Sequence, residues 1–274
     1  MSENQLTFLG TGTSTGIPII GCPCQICQSP NPKNKRLRSS VLINSNKHSF
    51  VIDTGPDLRT QLLRENVTHL DFALVTHEHA DHLHGMDDLR PFTFLPERRT
   101  FPVFSDQVHH QKIKTKFDYI FNRDQMFGKD NPYQGGGLPL LDLYELDEVK
   151  NQFEEESFSF ITLPHGKGKT TGIIHDTMAY IIDCHEIPQD QLRRLSNSNI
   201  HTLVIDCLRI KKHTTHLCYQ QAVDYIKAIK PKKAYLTHIG HEVDHEELFK
   251  LSQSISEVDV APAYDGLKVS YPKP

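Results

Sequence analysis

No apolar run in this 274-residue chain approaches the ~20 residues needed to span a bilayer, so a membrane-embedded protein is not expected. The opening MSENQLTFLG lacks a basic segment followed by a long apolar one, which argues against a secretory signal and for a cytoplasmic protein. An excess of positive charge is missing too. Thirty Lys and Arg face 34 Asp and Glu, the net charge is −4 and the pI is about 6.5. No global field therefore draws the chain to nucleic acid or membrane. The basic cluster KNKRLR at 33–38 reads as a solvated loop. GTGTSTGIP has neither the dinucleotide fingerprint nor the Gly-Lys-Ser/Thr of a phosphate loop. Linkers, low-complexity tracts and short repeats are absent, so residues 1–274 read as one domain with length enough for a real core. A disulfide framework is not expected either. Cys22, Cys24 and Cys27 stand too close to bridge one another without strain, and Cys184, Cys207 and Cys218 are scattered. Clustered thiols in a reducing compartment point instead to metal.

What the chain has in excess is histidine, 17 in all. THEHADHLHG, residues 76–85, packs four imidazoles and an aspartate into the eight positions from His77 to His84. The run follows directly on DFALVT, which reads as a buried strand. Two imidazoles one residue apart in such a turn, His77 and His79, can face one ion, and Asp81 with His82 a second beside it. Borderline divalent metals accept this mixture of imidazole and carboxylate.

Other predicted strands end on the same residue types. FSFITLP ends at His165, MAYIID at Asp183, TLVID at Asp206 and AYLT at His238. QLTFLG is a further strand, and SSVLIN with SFVIDTG around the polar turn SNKH is a hairpin. DLRTQLLREN and HHQKIKTKFDYIF read as helices, and GGG at 135–137 as a turn. PFTFLPERRTFPVFSD carries strand-like apolar pairs broken by proline. A helix over about 217–229 puts Ala222, Ile226 and Ile229 on one face. Strand ends in layered α/β folds are where binding loops converge.

THEHADHLHG resembles the metallo-β-lactamase superfamily signature H-x-H-x-D-H-x-x-G, completed by Gly85. The resemblance implies an α/β fold, an αββα sandwich of mixed sheets with helices on both outer faces, and a two-metal site at one edge. It assigns His77, His79 and His165 to one metal, Asp81, His82 and His238 to the other, and Asp183 as the bridge. Asp206 sits in the same IDC context as Asp183. Asp53, in VIDTG, resembles the aspartate that buttresses the metal loop.

GTGTSTGIP, the C-x-C-x-x-C cluster, GMDDLRPF, FDYIF and LTHIGH resemble the PhnP-type cyclic phosphate phosphodiesterases over residues 6–268. That likeness implies a structural zinc on Cys22, Cys24, Cys27 and His241, with two active-site ions, zinc or manganese. It implies hydrolysis of a small phosphodiester of the phosphoribosyl cyclic phosphate type by a hydroxide shared between the ions. Asp81 and His216 are the catalytic candidates. His216 would assist the leaving oxygen, with His213 as its rival on the same loop. A small-molecule diester is the expected partner, nucleic acid or membrane is not, and a homodimer stays open because oligomeric state is not legible in the sequence. Three alternatives stay open: a thioester or lactam hydrolase of the superfamily, an oxygen-dependent enzyme resembling the PQQ-biosynthesis proteins, and a metal-binding scaffold without turnover. His84, His109, His110, His175, His185 and His245 carry no assigned role and are read mostly as surface.

Overall fold

Side chains alternate across a strand, and here both faces of many strands are apolar, which calls for a cover on each side. The computed structural model describes residues 3–94, 99–122 and 139–274. In β2 (Ser40–Asn44) and β4 (Phe72–Val75), Val41, Ile43, Phe72 and Leu74 enter one core, while Leu42, Ala73 and Val75 enter another. In β9 (Met178–Ile181) and β10 (Thr202–Asp206), Tyr180 and Val204 join that first core, whereas Ala179, Ile181, Leu203 and Ile205 face a third. The shared core lies between two sheets, and each of the other two lies beneath helices.

Among the described residues the first sheet has seven strands in the order β13-β1-β2-β3-β4-β5-β6. The remaining members are β1 (Glu3–Gly10), β3 (Ser49–Ile52), β5 (Phe101–Ser105), β6 (Leu141–Glu145) and β13 (Lys268–Pro272). The second has six, in the order β12-β11-β10-β9-β8-β7, adding β7 (Phe158–His165), β8 (Gly168–His175), β11 (Lys233–Thr237) and β12 (Asp259–Pro262). Both sheets are mixed. Helices Leu58–Arg64 and Gln107–Lys116, with the 3-10 segment Met86–Thr93, cover the first sheet through Leu62, Ile113 and Leu89. Helices Gln189–Asn197, Tyr219–Ile229 and His245–Ser252 cover the second through Leu195, Ile226 and Leu248. This is the αββα sandwich.

The topology brings the strand ends together. β9, β10 and β11 are parallel neighbours, and β7 runs with them because two antiparallel steps separate it from β9. Ile205 pairs with Ile181, and Asp206 with Thr237. Asp183, Asp206 and His238 therefore leave adjacent strands at one edge. Across the gap, the Thr171 N–H donates to the Thr76 carbonyl at 3.0 Å and ties the two sheets where the histidine run begins.

Some local readings change. The residues of PFTF belong to the 3-10 segment and its C-cap Phe94 and not to a strand; among the described residues of that stretch, Phe101–Ser105 pairs. The helix expected through residue 121 breaks at Phe117 into Gln107–Lys116 and Asp118–Phe121. The GGG turn lies outside the described residues. KNKRLR is no solvated loop throughout, because Asn34 and Arg36 are buried. The Arg36 guanidinium donates to Thr11 Oγ1 at 2.7 Å and the Ala263 carbonyl at 2.6 Å, and meets His245 Nδ1 at 3.0 Å. Distant partners satisfy a cation that local sequence would leave in water. No helix among the described residues is long and apolar enough to cross a membrane.

Candidate dinuclear metal centre

Three site residues sit in a backbone conformation that L side chains rarely adopt: Asp53 at φ 70°, Asp183 at φ 52° and His238 at φ 58°. Asp53 and His238 immediately follow β3 and β11, and Asp183 lies two residues beyond β9. Each turns the chain sharply, and such strain collects at functional sites. The turn after β4 is locked by glycine. The Thr54 N–H donates to the His82 carbonyl and the Gly85 N–H to the Thr54 carbonyl, both at 2.8 Å. A Cβ at Gly85 would lie 2.0 Å from the Gly55 carbonyl oxygen, and one at Gly55 2.1 Å from that of Asp81. The final glycine of the histidine motif is thus a packing requirement.

Two donor sets result. His77, His79, His165 and Asp183 offer ligand atoms within 4.8 Å of one another, and so do Asp81, His82, His238 and Asp183. Asp183 belongs to both, with Oδ2 2.7 Å from His82 Nε2 and 3.2 Å from His77 Nε2, and Oδ1 2.9 Å from His238 Nε2. The other nitrogen of each ring is held elsewhere. His77 Nδ1 meets Thr76 Oγ1 at 3.0 Å, His82 Nδ1 meets Asp53 Oδ2 at 2.7 Å and His238 Nδ1 meets Ser39 Oγ at 3.1 Å. His165 Nδ1 donates to the Thr215 carbonyl at 3.1 Å. Such contacts fix ring orientation and leave Nε2 as the donor atom. His79 differs, placing Nδ1 3.1 Å from His165 Nε2.

Among the described residues, the buried His77 Nε2, His82 Nε2 and Asp183 Oδ1 find no well-aligned hydrogen-bond partner despite their short contacts with one another's groups. Orphaned polar atoms are costly in a core, and a cation shared between imidazoles and carboxylates would satisfy all three. The residues therefore fit a pair of divalent ions. Electrostatics agree. Burial pushes the His77 pKa down to about 4, leaving a neutral ring. Burial opposes ionisation of Asp183, but His238 and His82 outweigh it and hold the carboxyl well below the usual range.

The cysteine cluster forms a second kind of site. Cys22, Cys24 and Cys27 place Sγ at 3.4, 3.5 and 3.7 Å from His241 Nδ1. A tetrahedral zinc with sulfur at ~2.3 Å and nitrogen at ~2.0–2.1 Å sets such edges at about 3.6 Å, so the four donors fit one ion. A hydrogen bond from the Cys27 N–H to its sulfur brings the Cys24 thiol down to about 6.

His216 lines a cavity of about 510 Å³ with His79, Asp81, His165, Asp183 and His238. Its Nδ1 lies 3.0 Å from Asp206 Oδ2, and its ring stacks on His238 at 5.0 Å. Burial would lower its pKa, but the bond to Asp206 prevails and raises it. His213 instead faces its own loop through Thr215 and is not among the lining residues. Asp206 thus supports His216 and lies outside the two donor sets, while Asp53 binds the Thr76 N–H at 2.9 Å as well as His82.

Three histidines read as surface are buried: His109, His175 and His245. Each has a partner remote in sequence, respectively Glu78, Glu156 with Tyr271, and Arg36. His109 matters to the site because Glu78 stands between two candidate ligands.

The beta-lactamase superfamily domain matches residues 48–239. A solved structure titled a new diphosphatase from the PhnP family is 30% identical, covering 98% of each chain at a TM-score of 0.85. An octanoyltransferase of Porphyromonas gingivalis is 33% identical over 264 residues, covering 95% of this chain and 50% of that protein. The chain thus spans half the length of that relative. The exodeoxyribonuclease WalJ of Streptococcus pneumoniae is 23% identical over 244 residues, covering 83% of this chain and 87% of that one.

Proposed function

The chain belongs to the beta-lactamase superfamily and, within it, to the PhnP family; from that premise we propose that it is a metal-dependent hydrolase of a small, cyclic phosphodiester. One observation carries the reading. Two donor sets share the Asp183 carboxylate on the wall of one cavity, with buried ring nitrogens that find no hydrogen-bond partner among the described residues.

His77, His79 and His165 would hold one ion, Asp81, His82 and His238 the other, with Asp183 between. When bound, such a pair supplies Lewis acidity toward phosphoryl oxygens and an acidified water. The protein's own groups do the rest. Thr76, Asp53, Ser39 and Thr215 fix the imidazoles, so little reorganisation is left for the reaction. His216, kept protonated longer by Asp206, is placed to give a proton to the departing alkoxide. Cys22, Cys24, Cys27 and His241 would bind zinc and stiffen the wall carrying His238, since Ile239 donates to the Thr11 carbonyl and accepts from Thr13. We take residues 1–274 as one working unit in the cytoplasm, where free thiols persist.

Elemental analysis with a substrate panel tests this. The purified protein should carry three metal equivalents and turn over bis(p-nitrophenyl) phosphate and ribose cyclic phosphates. Lactams, thioesters and single-stranded DNA should be spared. Hydrolysis of lactam or DNA without any small diester would reject the proposal.

A further inference from the structure

Glu78, on the turn between His77 and His79, gathers one whole face of a helix. Its Oε2 lies 2.5 Å from His109 Nδ1, its Oε1 pairs with the Lys112 ammonium, and its backbone carbonyl accepts from Lys116 Nζ at 2.9 Å. Positions 109, 112 and 116 follow the i, i+3, i+7 spacing of a single helical stripe. Glu78 and Lys112 both line the cavity that holds Asp81, Asp183 and His216. Neither belongs to a candidate donor set.

The chemistry of this corner favours an anion. Glu78 contributes one negative charge against two positive ones from Lys112 and Lys116, so Glu78 does not by itself neutralise the two lysines it gathers. Burial lowers the pKa of His109, and its ring adds nothing at neutral pH. The Lys112 side chain is 64% exposed against 12% for Glu78. Its ammonium has three donors and engages one carboxylate oxygen among the described residues. The tether also lowers the side-chain entropy that a free surface lysine would lose on binding. A diester carries one negative charge, and it lies at the bond to be cleaved. A further cation held in the wall matches a further anion on the same molecule.

We propose that Lys112 is a specificity-determining residue that binds a second anionic group of the substrate, outside the scissile bond, and that Glu78 positions it. The identity of the first group rests on the diesterase reading; the role of Lys112 is measured independently of it.

Calorimetric titration of the metal-loaded full chain with inorganic phosphate and with pyrophosphate separates one anionic group from two. Lys112→Ala should weaken pyrophosphate binding roughly tenfold, as loss of a charge-assisted contact does, and phosphate binding less than about threefold. Lys112→Arg should restore most of the difference, and Glu78→Gln should fall between. Metal content is measured on every variant. Equal losses for both anions, or no loss for pyrophosphate, would overturn the role of Lys112. Unchanged pyrophosphate affinity in Glu78→Gln would overturn the positioning. Because these are binding measurements, a protein that hydrolyses no diester would refute the function above and leave this test intact.

Discussion

The Asp53 carboxylate and the His82 imidazole, both fully buried, meet in direct contact at 2.7 Å. The pair fixes which nitrogen of His82 faces Asp183. Asn also tolerates the left-handed backbone at this position, so Asp53→Asn isolates the carboxylate from the turn. The variant should lose 10–100-fold, roughly, in affinity for one metal equivalent or in activity. Metal titration followed by assay measures it.

Asp81→Ala and His82→Ala each remove a donor from the set that includes His238. Either should drop metal content by one equivalent and abolish turnover, with an unchanged far-ultraviolet dichroism spectrum. Full activity in either variant would end the assignment of these residues.

Cys24→Ser should release a different equivalent. Metal binding at such a site is folding free energy. A loss of only ~3 kcal/mol would lower the melting temperature by roughly 6–12 °C in a chain of this size. Calorimetry beside elemental analysis reads both effects, and an unchanged metal count would show that the cluster holds no ion.

Gly85→Ala tests the packing of the histidine motif. Its methyl would sit 2.0 Å from the Gly55 carbonyl oxygen, which is backbone and cannot swing aside. A cost of about 3 kcal/mol or more is expected, seen as a lower urea midpoint or as insoluble protein. Wild-type stability would show that the turn can open.

Glu156 should govern the acid limb of stability. Burial opposes its charge, yet hydrogen bonds from His175, Ser45 and His48 prevail and bring its pKa from the ordinary 4.5 down to about 2. A depressed acid stabilises fully above its unfolded pKa, and that contribution fades as pH falls from 4.5 toward 2. In metal-free protein, the advantage of wild type over Glu156→Gln should shrink by on the order of 3 kcal/mol across that window. Parallel stability curves for the two would refute it.

Several candidate ligands were legible in the sequence because they lie at or just past the end of an apolar strand, and a strand end is a local signal. His77, His165, Asp183 and His238 all announce themselves this way. Arg36, His109, His175 and His245 do not. Their partners lie 209 positions away for Arg36 with His245 and 96 for His175 with Tyr271, and no local pattern encodes such a meeting. The same limit hid β8, whose antiparallel pairing with β7 and β9 gives Gly168–His175 its place. Glu78 was overlooked because one acid between two histidines looks like solvent-facing filler until the Gln107–Lys116 helix lands on it.

The left-handed turns at Asp183 and His238 bear on any attempt to retune the centre for another cation. Swapping donors there is restricted to residue types that tolerate this twist, with Asn the natural replacement and Val, Ile or Thr excluded. His77 and His82 hold ordinary dihedrals and leave room for cysteine or glutamate. Redesign of ion preference would therefore have its freedom at His77, His82 and His165, with Asp183 and His238 held to the few residue types that accept their twist.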